Sequence, residues 1–306
     1  MSRYAFCEED FKISGGMRRI IEISNRLVDK GHDVDIIMVL DSSPLTCDWM
    51  EVKAKVIRLG DRRDYDIAIF NHAPVWVAME HIIARLKVYY WLGFEGAYMK
   101  SMPWKDAYRE KYFIVANSPW CAKMASLMYG YVPPVVAGGL DTTLFHPVKV
   151  EKEYDLLCCC PGDRPEKGLE YVTRVSELLG LRLENFAGKD LPQEKLAEEY
   201  SKAKVFIAAP IIEGYYQPGL EAMACGVPVV MSNAGGNTLY ARDGENCFLT
   251  ARNAGDIAYG VKMLLNDPLL YDKFVTNGLK TVEGFSWDKA ATEFEQLLTY
   301  ELAKTI

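Results

Sequence analysis

Nowhere in the 306 residues is there an apolar run able to cross a bilayer. The uncharged stretch Ala222 to Ala241 is broken by Gly226, Pro228, Gly235 and Gly236, and Tyr112 to Ala122 is too short. Basic residues are in deficit, 35 Lys and Arg against 42 Asp and Glu for a net charge of −7, so the excess that grips a phosphate backbone is missing. Nucleic acid is therefore not an expected partner. The eight cysteines at 7, 47, 121, 158, 159, 160, 225 and 247 form no C-x-x-C pair, and three are consecutive in an apolar run. Reduced, buried thiols are expected, with neither a disulfide framework nor a zinc site. Between Ser2 and the acidic Glu8, Glu9 and Asp10 no apolar signal region intervenes, so a cytoplasmic location is expected. No repeat of fixed period and no low-complexity tract occurs.

What is present is ordinary for a folded chain: 50% hydrophobic and 25% charged residues. At roughly 150 residues per domain the length favours two domains. Met17, Ile20, Ile21, Leu27 and Val28 share one face of a predicted helix that Gly31 ends. Strands are predicted over 34–40, 66–70, 88–91, 112–116 and 135–137, separated by lengths suited to crossover helices. A second set follows: strands over 156–160, 181–187, 205–209 and 227–231, with helices over 166–179 and 193–201. These strands read as unbroken apolar runs, as where both faces of a parallel sheet are covered. The expected fold is α/β, two Rossmann-like doubly wound parallel-sheet domains. Pro147 and the charges Lys149, Glu151, Lys152 and Glu153 interrupt the pattern, setting boundaries of 1–147, 148–285 and a C-terminal helix over 286–306 that packs across the domains.

Ligands of doubly wound sheets sit where strands end and helices begin, and three such loops are chemically loaded. Ser14-Gly15-Gly16 precedes the first helix; it suits an anion approached closely by backbone, and equally reads as a plain glycine turn. In Pro161 to Gly168, Arg164 and Lys167 place cations at a helix start, which the helix dipole disfavours unless an anion such as diphosphate binds there. The bland alternative is two solvated charges. In Glu213 to Glu221, a Gly- and Pro-containing turn enters a helix between two carboxylates. Carboxylates accept from vicinal hydroxyls and helix N–H groups bind anions, a pairing that points to a sugar nucleotide.

The string EGYYQPGLEAMACGVPVVMSNAGGN, with Glu213 and Glu221 as E-x7-E, resembles the signature of the retaining glycosyltransferases of family 4, which have the GT-B fold. NSPWCAKMASLMYG from Asn117, AGGLDTTLFHP from Ala137, PEKG at Pro165, Ala187-Gly188, DGENCFL from Asp243 and FSW at Phe285 occur in that family's order and spacing. The resemblance spans the C-terminal domain nearly end to end, and the N-terminal one in its GG loop and last third. It implies a cleft between two Rossmann-like domains, donor on the C-terminal side and acceptor on the N-terminal side. Glu221 would bind ribose hydroxyls and Glu213 the donor sugar, while the backbone of Tyr215, Tyr216, Gln217, Pro218, Gly219 and Leu220, with Lys167, would hold the diphosphate. Arg164 would assist, and Gly16 would approach from the first domain. The implied catalytic residues are Glu213 and Lys167. The implied partners are a nucleoside diphosphate sugar as co-substrate and a saccharide, lipid-linked or other glycosyl acceptor, with no metal and no further cofactor.

The chain departs from the family at three positions: Gly162 stands where an Arg is usual five residues before the phosphate Lys, Tyr216 where the turn usually has a second glycine, and Leu239 where a Glu is usual. Two further readings stand beside transfer: a sugar-nucleotide epimerase of the same fold, and a non-catalytic sugar-nucleotide-binding subunit. On the acceptor side, His72 follows a strand, and Glu95 follows another among aromatics that suit a sugar face. Each equally reads as structural. Asp64 and Asp66 imitate a metal-binding D-x-D but precede a strand, and are expected to be solvated.

Overall fold

The computed structural model describes residues 1–306 apart from 63, 94–110, 190 and 306. It divides into two units, Met1–Gly139 with Trp287–Ile306, and Leu140–Ser286.

The first unit is built on β1 (Arg3–Glu8), α1 (Gly15–Asp29), β2 (Asp33–Met38), β3 (Lys55–Arg58), β4 (Asp64–Phe70), β5 (Ile83–Trp91), β6 (Phe113–Ala116) and α2 (Pro119–Tyr129). All pairings are parallel, in the order β3-β2-β1-β4-β5-β6. Side chains alternate across a strand, so Tyr4 and Phe6 of β1 enter one core while Ala5 and Cys7 enter the core on the opposite face. Both faces are covered, which is why β1 shows no polar alternation. Burying a side chain such as Phe6 contributes about 1.5–3 kcal/mol. Ser14 starts α1 by accepting from the Met17 N–H at 3.0 Å. The strand order reverses between β1 and β4, and the ends of those strands, Glu8 and Phe70, define this sheet's switch point.

The second unit contains β7 (Tyr154–Cys158), α3 (Leu169–Leu179), β8 (Leu183–Asn185), α4 (Gln193–Ser201), β9 (Ala203–Ala208), α5 (Gln217–Ala224), β10 (Val229–Ser232), β11 (Phe248–Thr250), α6 (Ala254–Asn266) and α7 (Pro268–Val282). Its parallel sheet runs β11-β10-β9-β7-β8, reversing between β7 and β9. The loops leaving those two strands are the ones carrying Lys167 and Glu213.

Several expectations change. The first unit ends at Gly139 rather than 147. The segment from Leu140 belongs to the second unit because the Leu140 N–H donates to the Phe285 carbonyl at 3.3 Å, Phe145 packs edge-on to Tyr200 at 6.2 Å, and the Val148 N–H donates to Ser201 Oγ at 3.0 Å. The last helix, α8 (Trp287–Ala303), belongs to the first unit rather than bridging domains. Its Phe294, Leu298 and Leu302 enter that unit's core, with Phe294 4.9 Å from the Tyr90 ring, and Arg26 pairs with Asp288 at 2.7 Å. Strands β1 and β3 arise where short, unremarkable runs gave no signal. Conversely, 135–137 forms only a bridge from Val135 to Ala116. The helix predicted from 166 begins as a short 3-10 turn, Pro165–Lys167, and restarts at Leu169 because Gly168 is left-handed at φ 79°. No helix among the described residues is long and apolar enough to cross a membrane.

Candidate functional site

Two adjacent strands, β7 and β9, deliver two loops to one point. The first turns through Pro165–Lys167, and Gly168 closes it against the second: a Cβ there would fall on the Ala209 carbonyl, so only glycine allows the approach. The Ile211 N–H donates to the Glu166 carbonyl at 2.9 Å, and the Arg252 guanidinium donates to Ala209 O at 2.8 Å and Pro165 O at 3.1 Å, clamping both loops. Glu213 is fixed by the β10 loop. Its N–H donates to Ala234 O and its carbonyl accepts from the Gly236 N–H, both at 2.9 Å, with Gly236 so close that a Cβ would overlap the Gly214 backbone.

Lys167 Nζ thereby forms an ion pair with Glu213 Oε1, with 18% and 15% of the two side chains exposed. Glu221 lies on α5, 6% exposed, and accepts at Oε2 from the Tyr200 hydroxyl at 2.8 Å. Burial first, then the Glu221 charge, pushes the Tyr200 phenol well above its ordinary value, so it stays a donor. The Cys159 thiol is pushed up to about 12 by burial, then by Glu221 and Cys160, with Lys167 opposing and Glu213 adding.

The turn into α5 carries the rest. Tyr216 sits at its N-cap in the left-handed region at φ 65°, the one non-glycine to do so among the described residues. Its carbonyl accepts from the Tyr240 hydroxyl at 2.7 Å. The turn geometry normally supplied by glycine is thus kept, at a strain on the order of 1–2 kcal/mol. The Tyr215 ring packs into a cluster with Tyr240 at 5.9 Å and Phe285 at 6.4 Å, which leaves its backbone to shape the turn. No side chain caps α5, Pro218 has no N–H, and Gly219 in the first turn is pressed against Tyr240. An unacidified helix start beside a lysine suits an anion.

Arg164 is not part of this convergence. It is exposed and its Nε pairs with Glu166 at 2.7 Å, a contact worth about 0–1 kcal/mol. Gly162 is exposed, with nothing nearer its would-be Cβ than Leu169 Cδ2 at 4.0 Å. Leu239 is half-buried at the end of a 3-10 turn, Gly236–Leu239.

In the first unit, Gly16 lies in the first turn of α1, where a Cβ would meet Leu92 Cδ1 at 3.6 Å. His72 follows β4, its Nδ1 on Asn71 Oδ1 and its Nε2 3.4 Å from Glu9 Oε2. Glu95 lies outside the described residues. Asp64 and Asp66 stand at the start of β4, opposite its ligand-facing end. Asp64 pairs with Arg3, and Asp66 accepts from the Arg3 N–H at 2.9 Å and faces Arg85 at 3.7 Å.

Three residues escape the sequence reading. Tyr200 and Arg252 act through partners 21 and 43 positions away, for which no local pattern exists. Glu8 ends β1 at the switch point, 5% exposed, accepting from Asn71 Nδ2 at 2.7 Å. The strand-end rule would have nominated it had β1 been recognised.

The family described as Glycosyl transferases group 1 matches residues 144–281, the second unit but for its ends. A D-inositol 3-phosphate glycosyltransferase of Streptomyces bingchenggensis is 34% identical over 100 residues, 32% of this chain and 22% of that one. The chain likewise spans less than half the length of related curated glycosyltransferases. The sucrose-phosphate synthase of Thermosynechococcus elongatus superposes with a TM-score of 0.81 at 17% identity, covering 99% of this chain and 100% of that one. The HepE protein of Anabaena, in complex with UDP and glucose, gives 0.78 at 14% identity, covering 98% and 100%. At such identities these two likenesses concern the fold, which is GT-B.

Proposed function

We propose that this chain is a retaining, metal-independent glycosyltransferase of the family 4 type, moving a sugar from a nucleoside diphosphate sugar to an acceptor hydroxyl. The observation that carries this reading is the meeting of Lys167 and Glu213 at the β7/β9 switch point, with Glu221 on the helix behind them. Lys167 and the first-turn N–H groups of α5 would take the diphosphate, and their attraction would grow as negative charge gathers on it during departure. Glu213, released from Lys167 by the arriving phosphate, would face the sugar as positive charge develops at its anomeric carbon. Glu221 keeps lone pairs beyond the one Tyr200 uses, and would accept from the ribose hydroxyls. In the step itself the bond from the anomeric carbon to the diphosphate breaks, the acceptor oxygen bonds to that carbon on the same face, and the hydroxyl proton passes to the departing phosphate.

Among the described residues no three His, Cys, Asp or Glu gather as a metal site, and Lys167 with the helix start offers the charge a metal would bring. Turnover is accordingly expected to persist in EDTA, and loss reversed by Mg or Mn would contradict metal independence. The first test is thermal denaturation with UDP and the other nucleoside diphosphates. A ligand at 100 times its Kd stabilises by roughly 2.7 kcal/mol, and Lys167→Ala should abolish most of that gain. A bound structure with the phosphates away from Lys167 would refute the assignment.

A further inference from the structure

Two unfavourable features meet in one side chain of the turn into α5. Tyr216 holds a left-handed backbone that glycine adopts without strain, and its hydroxyl is buried with no hydrogen-bond partner among the described residues. A glycine at this position would remove both the strain and the orphaned polar atom, so neither serves the fold, and features of this kind gather where a site needs them. The ring is also locked. It is 5% exposed, its Cδ1 lies 3.3 Å from where a Gly219 Cβ would stand, and the Tyr216 carbonyl accepts from the Tyr240 hydroxyl at 2.7 Å. A donor fixed in place before its acceptor arrives is preorganised.

The neighbours of the hydroxyl identify that acceptor. Burial, then Cys160, Cys159, Glu213 and Tyr240, raises the phenol well above its ordinary value, so it keeps its proton and stays a donor. Cys160 is engaged with the Lys167 carbonyl at 3.4 Å, and Tyr240 with the Tyr216 carbonyl. Cys159 offers only a thiol, a weak acceptor. Glu213 brings a full negative charge from three residues back in the same turn, and its Oε1 is held by Lys167. Whatever takes Lys167 leaves this carboxylate in want of a donor, and a charged acceptor makes the stronger bond.

We propose that the Glu213 carboxylate has two resting places, Lys167 in the ligand-free chain and the Tyr216 hydroxyl once a diphosphate has taken Lys167, which makes Tyr216 a positioning residue for Glu213. That a diphosphate is what takes Lys167 rests on the transferase reading above; the second resting place rests on the turn alone. The test therefore has a ligand-free arm and a ligand arm. In the first, Lys167→Met removes the cation and keeps the aliphatic stem, while Tyr216→Phe keeps ring and backbone and removes only the hydroxyl. In the unaltered chain Tyr216→Phe should leave Tm unchanged or raise it, because that hydroxyl bonds to nothing. Combined with Lys167→Met it should lower Tm by about 3 °C or more, the loss of a hydrogen bond to a charged group in a unit of this size. The second arm is calorimetric titration with UDP, GDP or ADP, whichever stabilises the chain most. Tyr216→Phe should weaken that binding about tenfold, and less than about twofold where Glu213→Ala is also present. Equal Tm shifts in the two backgrounds would overturn the proposal. So would nucleotide binding that Tyr216→Phe leaves unchanged, or weakens alike with and without Glu213, the latter meaning that the hydroxyl touches the ligand itself. If no nucleoside diphosphate binds, the transferase reading fails while the melting comparison still decides the role of Tyr216.

Discussion

The two switch points of this molecule are built on the same plan and charged in opposite ways. In the second unit a lysine and a glutamate from neighbouring loops meet as a pair, next to an uncapped helix start. In the first, Glu8 is buried with Glu9 and Asp10 close by and accepts from the Asn71 amide, whose own oxygen meets the His72 ring. On the proposed function, the first arrangement would exchange its internal carboxylate for the incoming diphosphate. The second gathers carboxylates, with His72 3.4 Å from Glu9 and Lys12 2.9 Å from Asp10. Two parallel sheets of different strand order thus carry different charges at their switch points.

The largest effect should come from Glu221. Losing two charge-assisted hydrogen bonds from ribose costs about 2–4 kcal/mol, so Glu221→Ala should weaken nucleoside diphosphate binding on the order of 30- to 1000-fold. That change also strands the buried Tyr200 hydroxyl; Glu221→Gln keeps an acceptor for Tyr200 and is the control for folding. Glu213→Ala should instead lower turnover more than affinity, because its proposed partner is the sugar whose charge develops in the transition state. Titration of both variants with nucleoside diphosphate, beside their kcat, checks the contrast. Equal binding by the unaltered chain and Glu221→Ala would remove the ribose assignment.

An intermediate effect tests the other switch point. Burial, then the charges of Glu9 and Asp10, raises the Glu8 carboxyl well above its ordinary value. It therefore holds its proton more tightly folded than unfolded, and its ionisation subtracts stability as pH rises above about 4.3 toward the raised folded value. Glu8→Gln keeps an oxygen for Asn71 and removes the charge. It should stabilise the chain at pH 7 by roughly 1 kcal/mol, about 2–4 °C in Tm for a unit of this size, with little gain at pH 4. If transfer also falls, Glu8 was retained for the acceptor at the expense of stability. Melting curves across pH 4–8 check it; an equal shift at every pH would exclude the electrostatic cause.

These contrasts also show what the sequence could reveal. Lys167, Glu213 and Glu221 could be nominated from sequence because each sits after an apolar strand or inside a Gly- and Pro-marked turn, and the structure brings the first two together as an ion pair. The parallel α/β class was legible from the apolar runs, while β1, β3 and β11 were not. The boundary was not: Pro147 looks like a linker, but contacts of Leu140 and Phe145 with Phe285 and Tyr200, far along the chain, attach that segment to the second unit. The place of α8 was hidden likewise, since a helix with an apolar stripe does not say which core receives it. The pairing of Arg164 was hidden for a related reason. Its position suggested a phosphate partner, and the neighbouring Glu166 takes it locally.

The smallest expected effect would sharpen the contrast by adding charge to the anion site. Gly162 follows β7, is exposed, has ordinary backbone and leaves open space at its Cβ, so a side chain fits without strain. It also occupies the position where the resembled family places an arginine. An arginine there would add a planar fork that binds phosphate oxygens in pairs. Because the loop is exposed, screening limits the gain to about 0.7–1.4 kcal/mol, a three- to tenfold rise in nucleoside diphosphate affinity for Gly162→Arg. Two features identify the cause. The gain should shrink at 0.5 M salt, where the Debye length falls to roughly 4 Å, and should vanish for the nucleoside lacking phosphates. Calorimetric titration with UDP and uridine at two salt concentrations measures both. A gain equal for UDP and uridine would mean that position 162 acts on the base or on loop order, and that the diphosphate lies elsewhere than beside Lys167.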